Sequence, residues 1–451
     1  MRKKTLWFVI AFPFACLLVA FVYSLPPVHS RLAWRVDELR TRVKYALNPP
    51  EEAVFVPQQA PPGVRTQVWT PNAGAGTGGS TQLSTPVPNQ TRPAPTTPSG
   101  PTATLAPSTT PTISPTPVPA SVNLPGVKYE DQHQRWNYCG PANLSMALTF
   151  WGWDGNRDVV GAYVKPSDKD KNVMPYEMEN FVETQVPGMA ALYRSGGDIE
   201  SLIRLIAAGF PVVAEKGYYE YDYTGKLGWL GHYQFVTGYD ATREILIVQD
   251  TYIKDGNNHK ISYAEFLEGW RSFNSLFLVV YPYEREADVL ALLGPLADPA
   301  WANSHAMEIA NAEAQALTGI DQFFAWFNLG SSQVNLQMYT DAGYSYDEAF
   351  RLYADLPDDG TRPYRIVWYQ TGPYWAYFYS GRYDDVINLA TTTLNDTISE
   401  PVLEESFYWR ALAREAKGDL EGAIADLRES VRLNPNFTPG WEQLNRLGVE
   451  G

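Results

Sequence analysis

From about residue 59 to 122 the chain is built almost wholly from Pro, Thr, Ser, Gly and Ala, as in TRPAPTTPSGPTATLAPSTTPTISPTPVP. Such a stretch has too few large apolar side chains to offset the entropy of ordering it. It cannot form a core and reads as a disordered or polyproline-II-like linker, here bounded at 59–124. It divides the 451 residues into a short N-terminal part and a long C-terminal part. All packed structure must come from those flanks. The expected role of the linker is reach, holding the folded part away from whatever the N-terminus binds.

For the N-terminus that is expected to be a membrane. Arg2, Lys3 and Lys4 precede TLWFVIAFPFACLLVAFVYSL, an uncharged run of about twenty residues, long enough to span a bilayer. Basic residues ahead of it place the N-terminus in the cytoplasm. Residues 1–25 therefore read as a single-pass anchor in the cell membrane, with the bulk of the chain extracytoplasmic. A cleaved signal peptide is the other reading, but the run is long for one and no small-residue cleavage box follows. In the juxtamembrane segment 26–58, RLAWRVDELRTRVKYAL has helical apolar spacing and suits a short helix at the membrane surface or a solvated stalk. A net charge of −15, with no basic patch beyond the first 45 residues, argues against a nucleic-acid partner.

Two foldable regions follow the linker. In residues 125–285 helices are expected after Cys139, at MPYEMENFVET and at DIESLIRLIAAG, then strands at FPVVAEKG, GHYQFVTGYD, EILIVQD and FNSLFLVVYP. Helices first and clustered strands later predict an α+β fold with an antiparallel sheet. Residues 298–451 predict an all-α repeat domain. Ala411, Gly418, Ala423, Ile424 and Pro435 have the spacings of a tetratricopeptide repeat. Gly381, Tyr383, Val386 and Ile387 repeat the pattern 37 residues earlier, and Trp326, Leu329 and Gly330 open a third copy. Stacked helical hairpins of this kind serve as a buttress or as a groove for a protein partner.

Cys139 is the only cysteine beyond the apolar run, which holds Cys16. An exported domain with one cysteine makes no internal disulfide. Gly140 and Pro141 follow it, then Leu144, Ala147, Leu148 and Trp151 at helical spacing. Proline favours the first helical turn, so Cys139 is expected at a helix N-terminus, where the dipole and free N–H groups favour a thiolate.

A cysteine hydrolase also needs a base and a group that orients the base. Among His29, His133, His232, His259 and His305, His232 opens a clear strand on which His232, Gln234 and Val236 share one face. The next strand ends at Asp250. With a tight loop at 240–242, residue 239 faces 243 and 232 faces 250, to within a residue or two of register. For the oxyanion, Gln134 is the first choice, Gln132 the second, and Asn137 is read as a turn former. The scattered histidines and single exported cysteine give no metal-ligand cluster, and this chemistry needs no metal or organic cofactor. GYYEYDYTGKLGWLG, just before and into His232, is expected to form a lid over the cleft, the other reading being an exposed hairpin.

The blocks Q-x-W-N-Y-C-G-P-A, G-H-Y-x-x-V-x-G-Y-D and V-x-D resemble the bacteriocin-processing (double-glycine leader) peptidase-like family of papain-like cysteine peptidases, over roughly residues 125–283. The resemblance implies a papain-like α+β fold, with Cys139 as nucleophile, His232 as base, Asp250 as its orienter and Gln134 as oxyanion donor. One position departs: family members often carry the glutamine six before the cysteine, where this chain has His133. Transporter members add a membrane bundle and an ATPase; no G-x-x-x-x-G-K occurs here, so leader removal coupled to export is not implied. The expectation is a membrane-anchored extracytoplasmic cysteine peptidase acting on a peptide or protein substrate, with repeats that recruit a protein. Two rivals remain open. One is a cell-wall peptide amidase or transglutaminase-like acyl transferase. The other is a non-catalytic peptide-binding module.

Overall fold

The strand-like runs form one sheet in the computed structural model, which describes residues 17–58 and 118–450 apart from 136, 168, 222–226 and 358–359. Its strands are β1 (Ser121–Asn123), β2 (Met189–Arg194), β3 (Val212–Tyr221), β4 (Leu227–Asp240), β5 (Ile245–Asp250), β6 (His259–Ser262) and β7 (Phe277–Pro282). They lie in the order β2-β7-β3-β4-β5-β6, with β1 also on β4, and every pairing is antiparallel. β4 is the spine. It pairs with β3 over Leu227–Val236 and with β1 over Gly238–Asp240, so β1 continues the edge where β3 begins. Ser121–Asn123 thus belong to the sheet, which places them outside the linker expected at 59–124.

Period-two alternation sorts the sheet's side chains into two cores. Val212, Ala214 and Val236 pack with Phe266 and Trp270. Val213, Tyr233 and Phe235 pack on the opposite face with Leu144 and Ala147. The helices that cover these faces include α2 (Cys139–Phe150), α3 (Arg157–Val164), α4 (Pro175–Gln185), α5 (Ile199–Ala207) and α6 (Tyr263–Arg271), after α1 (Pro26–Leu47) in chain order. The helices and strands expected from hydrophobic spacing all form. The short elements β6, α3 and α6 escaped notice because charged or polar residues break their apolar pattern, and β2, MAALYR, because it is short and lacks β-branched residues.

The C-terminal part is helical. α7 (Glu286–Leu293) still belongs to the sheet's core through Val289 and Leu293. Then come α8 (Pro299–Ala316), α9 (Gly319–Asn335), α10 (Tyr339–Asp355), α11 (Ile366–Tyr369), α12 (Gly372–Tyr379), α13 (Tyr383–Thr392), α14 (Glu404–Ala416), α15 (Leu420–Leu433) and α16 (Thr438–Arg446). Gly381 and Gly418 sit in the turns of two successive hairpins, α12–α13 and α14–α15, at φ +74° and +90°. Only glycine takes that conformation without strain.

This helical part and the sheet share one core: Trp229 and Phe273 pack with Phe324 and Tyr369. They also share buried charge. Lys171 Nζ donates to both oxygens of Glu177 at 2.8 Å and lies 3.0 Å from Glu404 Oε1. Asn434 Nδ2 bridges the two glutamates at 3.0 and 2.7 Å. Burial pushes the Glu177 carboxyl up to about 8, against the pull of the Lys171 ammonium and with a smaller push from Glu404.

Most of the apolar run 5–25 lies outside the described residues, and among those described no helix is long and apolar enough to cross a membrane. α1 does not stand free as a stalk. Lys44 Nζ donates to Asn395 O and Ile398 O at 2.7 and 2.6 Å, Arg40 pairs with Glu400, and Arg365 Nη2 donates to Tyr45 at 3.1 Å. The described residues 17–58 and 118–450 accordingly fall in one compact unit. The residues that flank the linker on either side thus belong to the same compact unit.

Candidate active site

α2 begins at Cys139 itself. Tyr138, at the cap, makes no side-chain capping bond, so it does not take up the N–H groups of Cys139 and Gly140. One turn on, Asn143 Nδ2 donates to Cys139 O at 2.8 Å and to Tyr233 O at 2.9 Å. Tyr233 is the residue after His232, where β4 has run past its pairing with β5. Asn143 thus ties the start of the helix to the open edge of the strand and brings the thiol to the imidazole. Cys139, His232 and Asp250 are all buried.

His232 Nε2 lies 3.1 Å from Asp250 Oδ1, which leaves the other ring nitrogen for a second partner. The Asp250 carboxylate is heavily solvated by the protein. Oδ1 also accepts from the Tyr252 and Ile253 N–H groups at 2.9 and 3.3 Å, and Oδ2 accepts from Gln234 Nε2 at 2.6 Å. Burial opposes its charge, but His232 and these donors hold it well below the ordinary carboxylate range. Burial likewise opposes charging His232, but Asp250 and then Cys139 raise it to about 9. An imidazole so placed is protonated at neutral pH and keeps its orientation.

The pairing register differs from the expectation by two residues. The turn runs from Asp240 to Ile245, and a bulge lies between Val236 and Gly238, so Gln234 faces Asp250. A shift of two keeps every side chain on its face, and His232 reaches Asp250 diagonally.

The glutamines separate. Gln134 is exposed, on a left-handed backbone at φ +67°. Gln132 is tied beside Asp250: its N–H donates to Thr251 O at 2.9 Å, and its Oε1 accepts from Thr251 Oγ1 at 2.8 Å. That bond turns the amide nitrogen of Gln132 toward other partners. His133 is exposed, with Nε2 2.8 Å from Tyr252 O. Asn137 takes φ +44°, as a turn former does.

Aromatic rings wall the site. Tyr218 and Tyr252 meet the His232 ring edge-on at 5.6 and 6.2 Å. Tyr369, from the helical part, presses on the strand residue before His232: a Cβ at Gly231 would stand 2.8 Å from its ring and 2.5 Å from that of Phe273. Of the stretch expected as a lid, 217–221 and 227–231 pair as parts of β3 and β4, with Gly217 facing Gly231 and Tyr219 facing Trp229, and 222–226 lie outside the described residues. Trp229 is buried, stacked on Phe273 at 5.6 Å. Sequence reasoning missed Asn143, Gln234, Thr251 and Tyr369 as site residues. Only Gln234 carried a signal, two residues from His232 on its face. Among the described residues no cluster of His, Cys, Asp or Glu is placed to hold a metal.

No curated protein matches the chain. A solved Bacillus anthracis protein assigned to the C39-like peptidases is similar over 36% of this chain and 97% of its own, at 18% identity and a TM-score of 0.30. Residues 125–277, which hold Cys139, His232 and Asp250, match the Peptidase_C39 like family.

Proposed function

We propose that the chain is a cysteine peptidase in which Cys139, His232 and Asp250 form the catalytic triad. The observation that carries this reading is a buried imidazole joined to a carboxylate held ionised by four donors, beside the strand residue to which Asn143 ties the helix start at Cys139. The family match over the same residues supports it. In this reading the sulfur of Cys139, its proton already held by His232, attacks the scissile carbonyl. His232 then protonates the leaving amine, and a thioester remains. A water molecule deprotonated by His232 attacks the thioester, which releases the acid and restores the thiol. The oxyanion is held by the Cys139 N–H and a glutamine amide. We assign that amide to Gln132 in place of Gln134, because Thr251 fixes its orientation next to Asp250.

The run 5–25 is read as the membrane anchor, placing the rest outside the cytoplasm. The hairpins α12–α13 and α14–α15, with their matched turn glycines, are read as tetratricopeptide-like. Digestion of a peptide library by the wild type and by Cys139→Ala tests the assignment. Cleavage products from the wild type alone support it, and identical digests would leave a peptide-binding module. Products joined to an added primary amine instead of water would favour the acyl transferase.

A further inference from the structure

Val54–Gln58 lies along the helical part in the manner of a bound peptide. Its backbone enters extended, with Ala53 at φ −70° and ψ 113°. Of its side chains Phe55 alone is buried, at 7% exposure, whereas Val56 is 75% exposed. The Phe55 ring meets Phe350 edge-on with centroids 5.0 Å apart and lies 6.1 Å from Tyr377.

Three residues on, the main chain is gripped at both polar groups. Gln58 N–H donates to Asp385 Oδ1 at 2.7 Å, and Arg382 Nη2 donates to Gln58 O at 3.1 Å. The grip is braced from behind. Arg382 Nε donates to Asp385 Oδ2 and Nη1 to Asp347 Oδ2, each at 2.7 Å. The guanidinium also covers the Tyr377 ring at 4.2 Å, and the Tyr377 hydroxyl donates to Asp347 Oδ1 at 3.0 Å. Asp385 is 1% exposed, so withdrawal of the segment would strip this buried carboxylate oxygen of the Gln58 donor. A site that reads one ring and one peptide unit, and leaves Val56 between them in solvent, is suited to recognising an extended peptide. Pro57 restricts the backbone between the two points.

The bound sequence recurs. Val54-Phe55-Val56-Pro57-Gln58 is followed 14 residues later by Val68-Trp69-Thr70-Pro71-Asn72, the same order of Val, aromatic, β-branched, Pro and amide residue. The second copy lies outside the described residues. We propose that Phe350, Tyr377, Arg382 and Asp385 form a receptor for an extended peptide of the pattern aromatic–β-branched–Pro–amide residue. Val54–Gln58 fills it in cis, and Val68–Asn72 is a second ligand for it in the same chain. This assignment rests on none of the catalytic roles.

A ligand tethered next to its site has a high effective concentration, so the wild type should resist a competitor. Fluorescence polarisation with a labelled VWTPN peptide tests this on the full chain. The double variant Phe55→Ala/Trp69→Ala, which removes both tethered rings, should bind it at least tenfold more tightly than the wild type, and adding Arg382→Ala should cost at least tenfold. Failure of the double variant to bind, or binding indifferent to Arg382→Ala, overturns the proposal. A second measurement needs no variant. Excess unlabelled VWTPN should speed amide exchange at Gln58 in the wild type several-fold while α2 is unchanged. Unaltered exchange at Gln58 also overturns it.

Discussion

Gln234, not His232, lies directly opposite Asp250 on the neighbouring strand, and its amide holds the carboxylate oxygen that His232 does not touch. The base and its orienter are therefore diagonal neighbours, with Gln234 setting the carboxylate plane. Gln234→Ala should lower kcat about tenfold to a hundredfold and leave KM nearly unchanged, since the group acts through Asp250 and not on substrate. Steady-state kinetics on a cleaved library peptide would measure this. A raised KM with normal kcat would mean that Gln234 faces substrate instead.

The two glutamines before Cys139 should differ in consequence. Gln132→Ala should cut kcat by about 10²–10³, the usual effect of losing one oxyanion donor. Gln134→Ala, at an exposed turn, should change it less than about twofold. If both rates fall alike, the Thr251-bound side chain is not the donor.

His232, raised to about 9, should keep Cys139 reactive in mild acid. Alkylation by iodoacetamide at pH 6 should be fast in the wild type and at least about tenfold slower in His232→Ala. The same group affects folding. Its folded value exceeds the unfolded one of about 6.5, so its stabilisation is complete below that pH and fades as pH rises through about 9.

Glu177 should make stability fall with pH at the junction of sheet and helices. Its carboxyl sits at about 8, above the ordinary value near 4.5. The folded chain therefore holds a proton between those values that the unfolded chain has released. The stabilisation is full below about 4.5 and is lost by about 8, on the order of 1 kcal/mol per pH unit. Urea unfolding from pH 5 to 8 should show this slope in the wild type and a flatter one in Glu177→Gln. Equal slopes would place the titrating proton elsewhere.

The antiparallel sheet, the placement of Cys139 at a helix start and the shared face of His232 and Gln234 were legible because each rests on local spacing. The register of β4 and β5 was not, since it depends on turn length and on the bulge at Val236–Gly238, which no side-chain pattern marks. Asn143 reads as an ordinary helix residue until the strand edge it clamps is known. Tyr369 was invisible for a similar reason: it approaches Gly231 from more than a hundred residues away. The docking of α1 and Val54–Gln58 was hidden by their position ahead of a Pro- and Thr-rich stretch, where tethering to a distant partner was the simpler expectation.

That docking bears on what a protease could release. Because the stretch 59–117 leaves and rejoins one folded unit, a cut within it would open a loop and would not shed the catalytic part. The product would be a nicked, two-fragment molecule held together by Phe55, Lys44, Tyr45 and Arg40 against the helices. It should migrate as two bands after denaturation and as a single particle on native size exclusion. Elution of the C-terminal fragment alone would mean that those contacts do not survive the cut.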